Sequence, residues 1–195
     1  MGTETYHPDV QRVVDELNSH RQRFVELCRS LSAEELAKPV PQSTWIVRDF
    51  IAHLATIDPT VAVIFRNIRD GTNERMPTSG GERFDIDRWN DAQVEARRDW
   101  PLEEVLEEAA KNREELLTVL ASLTDEDLGK PFPFEGDSKR PPADITLLQY
   151  LRGWCKHDVM HAVDMLRALP ERRTPEVEAW FDDRVVQGYQ KAMNS

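Results

Sequence analysis

Cysteine is nearly absent: Cys28 and Cys155 are the only two in 195 residues. Without a C-x-x-C spacing they form neither a disulfide framework nor a thiolate zinc site, and both are expected to pack as small buried thiols. Long apolar runs are missing as well. Nothing approaches the roughly 18 residues that a membrane span needs, so no membrane partner is expected. The first residues, MGTETYHPDVQR, lack the apolar segment of a secretory leader, and Tyr6 stands where a myristoylation pattern needs serine or threonine. A cytoplasmic protein is the expectation. Positive charge is in deficit, with 25 Lys and Arg against 36 Asp and Glu, a net charge of −11. That field repels phosphate backbones, and no basic run offsets it locally, so nucleic acid is excluded as an expected partner. Only eight glycines occur, and hydrophobic and charged residues make up 39% and 31%. This is the balance of a globular all-α protein. The length suits one domain over 1–195, with a core at about 9–169 and an additional C-terminal helix at about 174–193.

Apolar periodicity supplies the helices. Val10, Val13, Val14, Leu17, Phe24, Leu27 and Leu31 predict a first helix from Asp9 to Ser30, with His20 on its apolar stripe. A second pattern follows Thr44, a predicted N-cap, and carries Ile46, Val47, Phe50, Leu54, Ile57, Val61, Ile64, Phe65 and Ile68 on one side. Pro59 is expected to kink or split it. Gly71 to Arg83 reads as a polar loop, Phe84 to Trp100 as a short amphipathic segment, and Pro101 opens a long helix to Leu123. Gly129 to Asp144 is too rich in proline and glycine for a helix and is predicted to be a loop. Another helix is predicted from Ile145 to about Ala168, and Thr174 with Pro175 starts the last.

The chain echoes itself once. SLSAEELAKPVP from Ser30 and SLTDEDLGKPFP from Ser122 agree at seven of twelve positions. Both contain a capping-box pattern, Ser32 with Glu35 and Thr124 with Asp127, which predicts a short helical turn in each. Two readings stand open: similar helix-ending turns, or a duplicated helix-loop-helix unit in which the helices of His53 and His157 correspond.

The stretch KHDVMHAVD places His157 and His161 four residues apart. On a helix they lie one turn apart on one face and can aim ring nitrogens at a common point. A helical wheel puts both on the shoulder of the apolar stripe, beside Tyr150 and Trp154, and puts His53 on the corresponding shoulder of the second helix, one turn after Asp49. Three neutral imidazoles from two helices would make a facial set suited to Zn²⁺, Ni²⁺, Fe²⁺ or Mn²⁺ with coordination positions left open. The alternative is histidines that pack and hydrogen-bond without a metal. Asp158 falls near the middle of the stripe and needs a partner, because an unpaired buried carboxylate costs several kcal/mol. Asp49, Asp158 and Asp164 are candidates for orienting a histidine, and Asp49 and Asp158 for a catalytic base. Arg97 could hold a substrate carboxylate, and Trp154, one turn before His157, could line a substrate pocket.

TWIVRDFIAHL, RWNDAQVEARR and HDVMH together resemble the DinB/YfiT-like superfamily of metal-binding four-helix bundles, which includes the N-terminal domain of mycothiol-dependent maleylpyruvate isomerases. The resemblance implies a four-helix bundle carrying an additional C-terminal helix, with a divalent metal on the residues matching its histidines, His53, His157 and His161. It also implies a low-molecular-weight thiol as cosubstrate. The leading expectation is a thiol-dependent S-transferase or isomerase-like enzyme acting on a small electrophile. Lowering the pKa of water instead would make a metal-dependent hydrolase. A non-catalytic small-ligand-binding or homodimerising bundle is the reading from outside enzymology.

Overall fold

The computed structural model describes residues 6–72, 85–134 and 143–193. In chain order they form α1 (Pro8–Ser30), α2 (Ala33–Leu36), α3 (Val47–Asp70), α4 (Ile86–Glu95), α5 (Leu102–Ala121), α6 (Asp125–Gly129), β1 (Pro131–Phe134), β2 (Ala143–Thr146), α7 (Leu147–Trp154), α8 (His157–Leu166), a 3₁₀ turn (Pro170–Arg172), α9 (Pro175–Phe181) and α10 (Arg184–Met193). Among the described residues the protein is all-α apart from one small hairpin. Among the described residues no helix is long and apolar enough to cross a membrane. The chain divides into two compact units, Met1–His7 with Arg48–Asp127, and Pro8–Val47 with Leu128–Ser195.

In the first unit α3 is buried on nearly every side from Phe50 to Ala62, so its polar groups must be satisfied inside the protein. Asp58, only 1% exposed, takes the Arg113 guanidinium from α5 at 2.7 Å. The Thr56 hydroxyl donates back to the carbonyls of Ala52 and His53. Pro59 does not split the helix, which runs through it unbroken. Proline has no N–H to offer the carbonyl four residues earlier, that of Ala55. Asn112 on α5 supplies the missing donor, its side-chain amide 2.7 Å from that oxygen. Asn112→Leu is expected to leave the carbonyl unpaired and to cost about 1–3 kcal/mol, read as a lower urea midpoint with an unchanged slope.

In the second unit α1 buries Val10, Val13, Val14, Leu17, Phe24 and Cys28 and packs on α7 and α8, while α9 and α10 also pack on α8. His20, predicted as a core histidine, is half-buried and accepts the Trp180 indole N–H on Nδ1 at 3.0 Å. Both cysteines are buried. Burial raises the Cys28 thiol pKa, and burial together with the neighbouring Glu16 carboxylate pushes that of Cys155 up to about 12. Neither is a nucleophile at neutral pH.

The internal echo is a structural repeat at the level of local hydrogen bonds. Each copy closes its capping box: Ser32 with Glu35, and Thr124 with Asp127. After each, a Lys-Pro pair enters an extended pairing, Pro39 with Ile46 and Pro131 with Thr146. The lysine carbonyl then accepts the first N–H of the next helix, Lys38 from Val47 at 3.0 Å and Lys130 from Leu147 at 2.9 Å. The helix bearing His53 and α7, the helix that precedes the one bearing His157, therefore begin in the same way.

Four local expectations are corrected. Thr44 is not the cap of α3, because Ile46 is held extended by Pro39 and the helix starts at Val47. The predicted loop from Gly129 to Asp144 contains β1 and the start of β2, paired antiparallel from Pro131↔Thr146 to Phe134↔Ala143; residues 135–142 lie outside the described ones, as do 73–83 of the earlier polar loop and the first residue, 84, of the amphipathic segment after it. The single helix from Ile145 is two. It starts only after Thr146, which caps α7 in a box with Gln149, and it is interrupted at Lys156, where φ −92° and ψ 2° turn the N–H onto Gly153 in a 3₁₀ closure. The last helix, capped by Thr174 as expected, breaks at Asp182, and the Asp183 carboxylate recaps α10 by accepting the N–H groups of Val185 and Val186.

Candidate metal centre

His157 opens α8 and His161 follows one turn later on the same face. Both are half-buried. Their Nε2 atoms stand 3.1 Å apart with the rings near perpendicular at 74°. Two imidazole lone pairs at that distance repel unless a proton or a cation lies between them. The tautomer of His161 is set from behind. Asp164 on the next turn, 1% exposed, places Oδ2 3.0 Å from His161 Nδ1, so that a carboxylate there accepts the Nδ1–H and leaves Nε2 with its lone pair outward. This carboxylate–histidine order is the one that metal-ligating histidines adopt.

The spacing fits a single ion. Nitrogens about 2.05 Å from one zinc stand about 2.9 Å apart at a right angle and about 3.3 Å apart at the tetrahedral angle. The observed 3.1 Å lies between the two.

Aromatic rings wall one side of the pair. Trp154 stacks on His157 with centroids 4.2 Å apart, Tyr150 stacks beyond Trp154 at 6.1 Å, and Phe132 of β1 covers Tyr150 at 3.7 Å. The stack fixes the His157 ring plane and keeps that face dry. The Trp154 indole N–H is buried and has no hydrogen-bond partner among the described residues.

Asp158, buried at 2% exposure, receives Arg21 of α1 in a two-point ion pair, Nε to Oδ2 at 2.8 Å and Nη2 to Oδ1 at 3.0 Å. This is the partner that its place on the apolar stripe required.

His53 and Asp49 belong to α3 of the other unit, one turn apart and 5% and 6% exposed. The Arg97 guanidinium is taken up within that unit: Glu108 of α5 accepts from Nη2 at 2.6 Å and the Gln93 carbonyl from Nη1 at 3.0 Å. A substrate carboxylate would have to displace Glu108.

Tyr189 escaped the sequence reading. Its hydroxyl donates to the Asp164 oxygen that faces His161, at 2.6 Å, from a helix with no motif to mark it.

The structure is that of an all-α protein that carries a carboxylate-backed histidine pair on α8. The chain belongs to the DinB superfamily, whose sequence profile matches residues 16–165. Among solved structures it is similar to mycothiol-dependent maleylpyruvate isomerase, at 11% identity and TM-score 0.59, and to a histidine-to-alanine variant of that enzyme, at 10% identity and TM-score 0.60. Each match covers 85% of this chain but 63% of the solved chain, and at this identity the likeness is one of fold. No curated protein matches the chain in sequence.

Proposed function

We propose that this protein is a divalent-metal-dependent enzyme, with His53, His157 and His161 as ligands, that uses a low-molecular-weight thiol in an S-transfer or isomerase-like reaction on a small electrophile. The observation that carries the metal reading is the pair of Nε2 atoms 3.1 Å apart with Asp164 behind His161. His53 supports it as a buried imidazole with a buried carboxylate, Asp49, one turn before it. The thiol half of the proposal draws on the fold shared with a mycothiol-dependent enzyme.

When bound, a divalent ion would supply Lewis acidity, lowering the pKa of a coordinating thiol or water toward neutrality. The protein's own groups do the rest. Asp164 holds His161 in the tautomer that presents Nε2. Trp154 fixes His157 and, with Tyr150, offers a flat apolar wall for a substrate. Asp158 is committed to Arg21, so the base role is proposed for Asp49, one turn from His53. The two buried cysteines take no part, which requires an external thiol.

The test is to load the protein with Co²⁺ and to add mycothiol or glutathione while recording the visible spectrum. The proposal expects a thiol-dependent spectral change in the parent and none in His161→Ala. A cobalt spectrum that answers to hydroxide but to neither thiol would sink the transferase reading and favour the hydrolase.

A further inference from the structure

The C-terminal helix α10 lies beyond the residues matched by the family profile, yet it reaches the histidine pair. Two polar contacts fix it along α8. At its start Asp183 faces Lys156, the residue before His157, at 3.5 Å. Two turns on, the Tyr189 hydroxyl donates to Asp164 Oδ2 at 2.6 Å. Between them Val186, fully buried, sits three residues before Tyr189 and so on the same face. Tyr189 is thus held where its hydroxyl meets a carboxylate that is 1% exposed, and a short O–H···O⁻ bond of this kind is among the stronger ones in proteins.

The oxygen that Tyr189 reaches is the one that accepts from His161 Nδ1. Its hydroxyl therefore restricts the carboxylate to the rotamer that orients His161. Resting on the metal reading above, we propose that Tyr189 is a positioning residue for the metal centre: it acts through Asp164 on His161, and the C-terminal helix is in this way part of the site.

The test is a double-mutant cycle on the full chain. Zn²⁺ affinity is measured by competition with a chromophoric chelator for the parent, Tyr189→Phe, Asp164→Asn and the double variant, beside the melting temperature of each metal-free protein. Loss of a group that orients a ligand typically weakens metal binding 10–100-fold. Tyr189→Phe, which keeps the ring and removes only the hydroxyl, is expected to weaken Zn²⁺ binding about tenfold. The double variant is expected to bind no more weakly than Asp164→Asn alone, because the hydroxyl acts only through that carboxylate. Three results overturn the inference while leaving the metal reading intact: affinity of Tyr189→Phe equal to the parent, fully additive losses, or a lowered metal-free melting temperature with affinity unchanged. A parent that binds no Zn²⁺ overturns both.

Discussion

Alanine at His161 is expected to lower divalent-metal affinity by about 10²–10³-fold while leaving the helical fold in place. Zinc bound through four protein ligands yields about 10–16 kcal/mol, so one ligand accounts for about 3–4 kcal/mol, or two to three decades. His161 is half-buried, and its truncation opens no large cavity, so far-ultraviolet circular dichroism should match the parent. Alanine at His157 is expected to do the same and in addition to remove the ring on which Trp154 stacks. Asp164→Asn should cost less than either, because it removes the orientation of a ligand rather than the ligand. Chelator competition on the three variants supplies this ranking. Equal affinity in His161→Ala and the parent would mean that any bound ion sits elsewhere.

Arg21→Met is expected to destabilise the protein by about 3–5 kcal/mol, a large share of the 5–15 kcal/mol of an ordinary domain. The reason is asymmetric. Arg21 and Asp158 are 12% and 2% exposed at their side chains, and removing the guanidinium leaves a carboxylate in a place that water does not reach. Removing both charges is a different matter, since a buried ion pair replaced by apolar groups of similar volume is often neutral in stability. Arg21→Met with Asp158→Leu should therefore recover most of the loss in a urea titration. A double variant as unstable as the single one would show that the pair contributes by attraction rather than by mutual neutralisation. Asp158 follows His157 directly in α8, so the same titration with Zn²⁺ added reports whether the pair also steadies the ligand.

Local features of this protein are legible in its residues because they depend on neighbours a few positions away. The one-turn spacing of His157 and His161, the capping boxes at Ser32 and Thr124, and the Thr174 cap all involve residues three or four apart. Even the demand that Asp158 find a partner follows from helical periodicity alone. The identity of that partner does not, because Arg21 lies 137 positions away. Tyr189 is hidden for the same reason, with 25 positions separating it from Asp164. Pro59 shows how a correct local rule yields to a distant residue: proline does remove the bond to Ala55, and Asn112 replaces it from another helix. The hairpin in a proline-rich stretch escaped because its prolines carry no strand signal, while its pairing is with residues past the loop.

The most direct test of the account is the metal content of untagged protein, purified without chelators and measured by elemental mass spectrometry beside His53→Ala and His161→Ala. The parent is expected to hold about one divalent metal ion per chain and both variants to lose nearly all of it, His53→Ala being the informative one because it tests the third ligand. A parent that remains empty after incubation with Zn²⁺, Ni²⁺, Mn²⁺ and Fe²⁺ would contradict it, leaving His157 and His161 as two hydrogen-bonded rings on a packed helix.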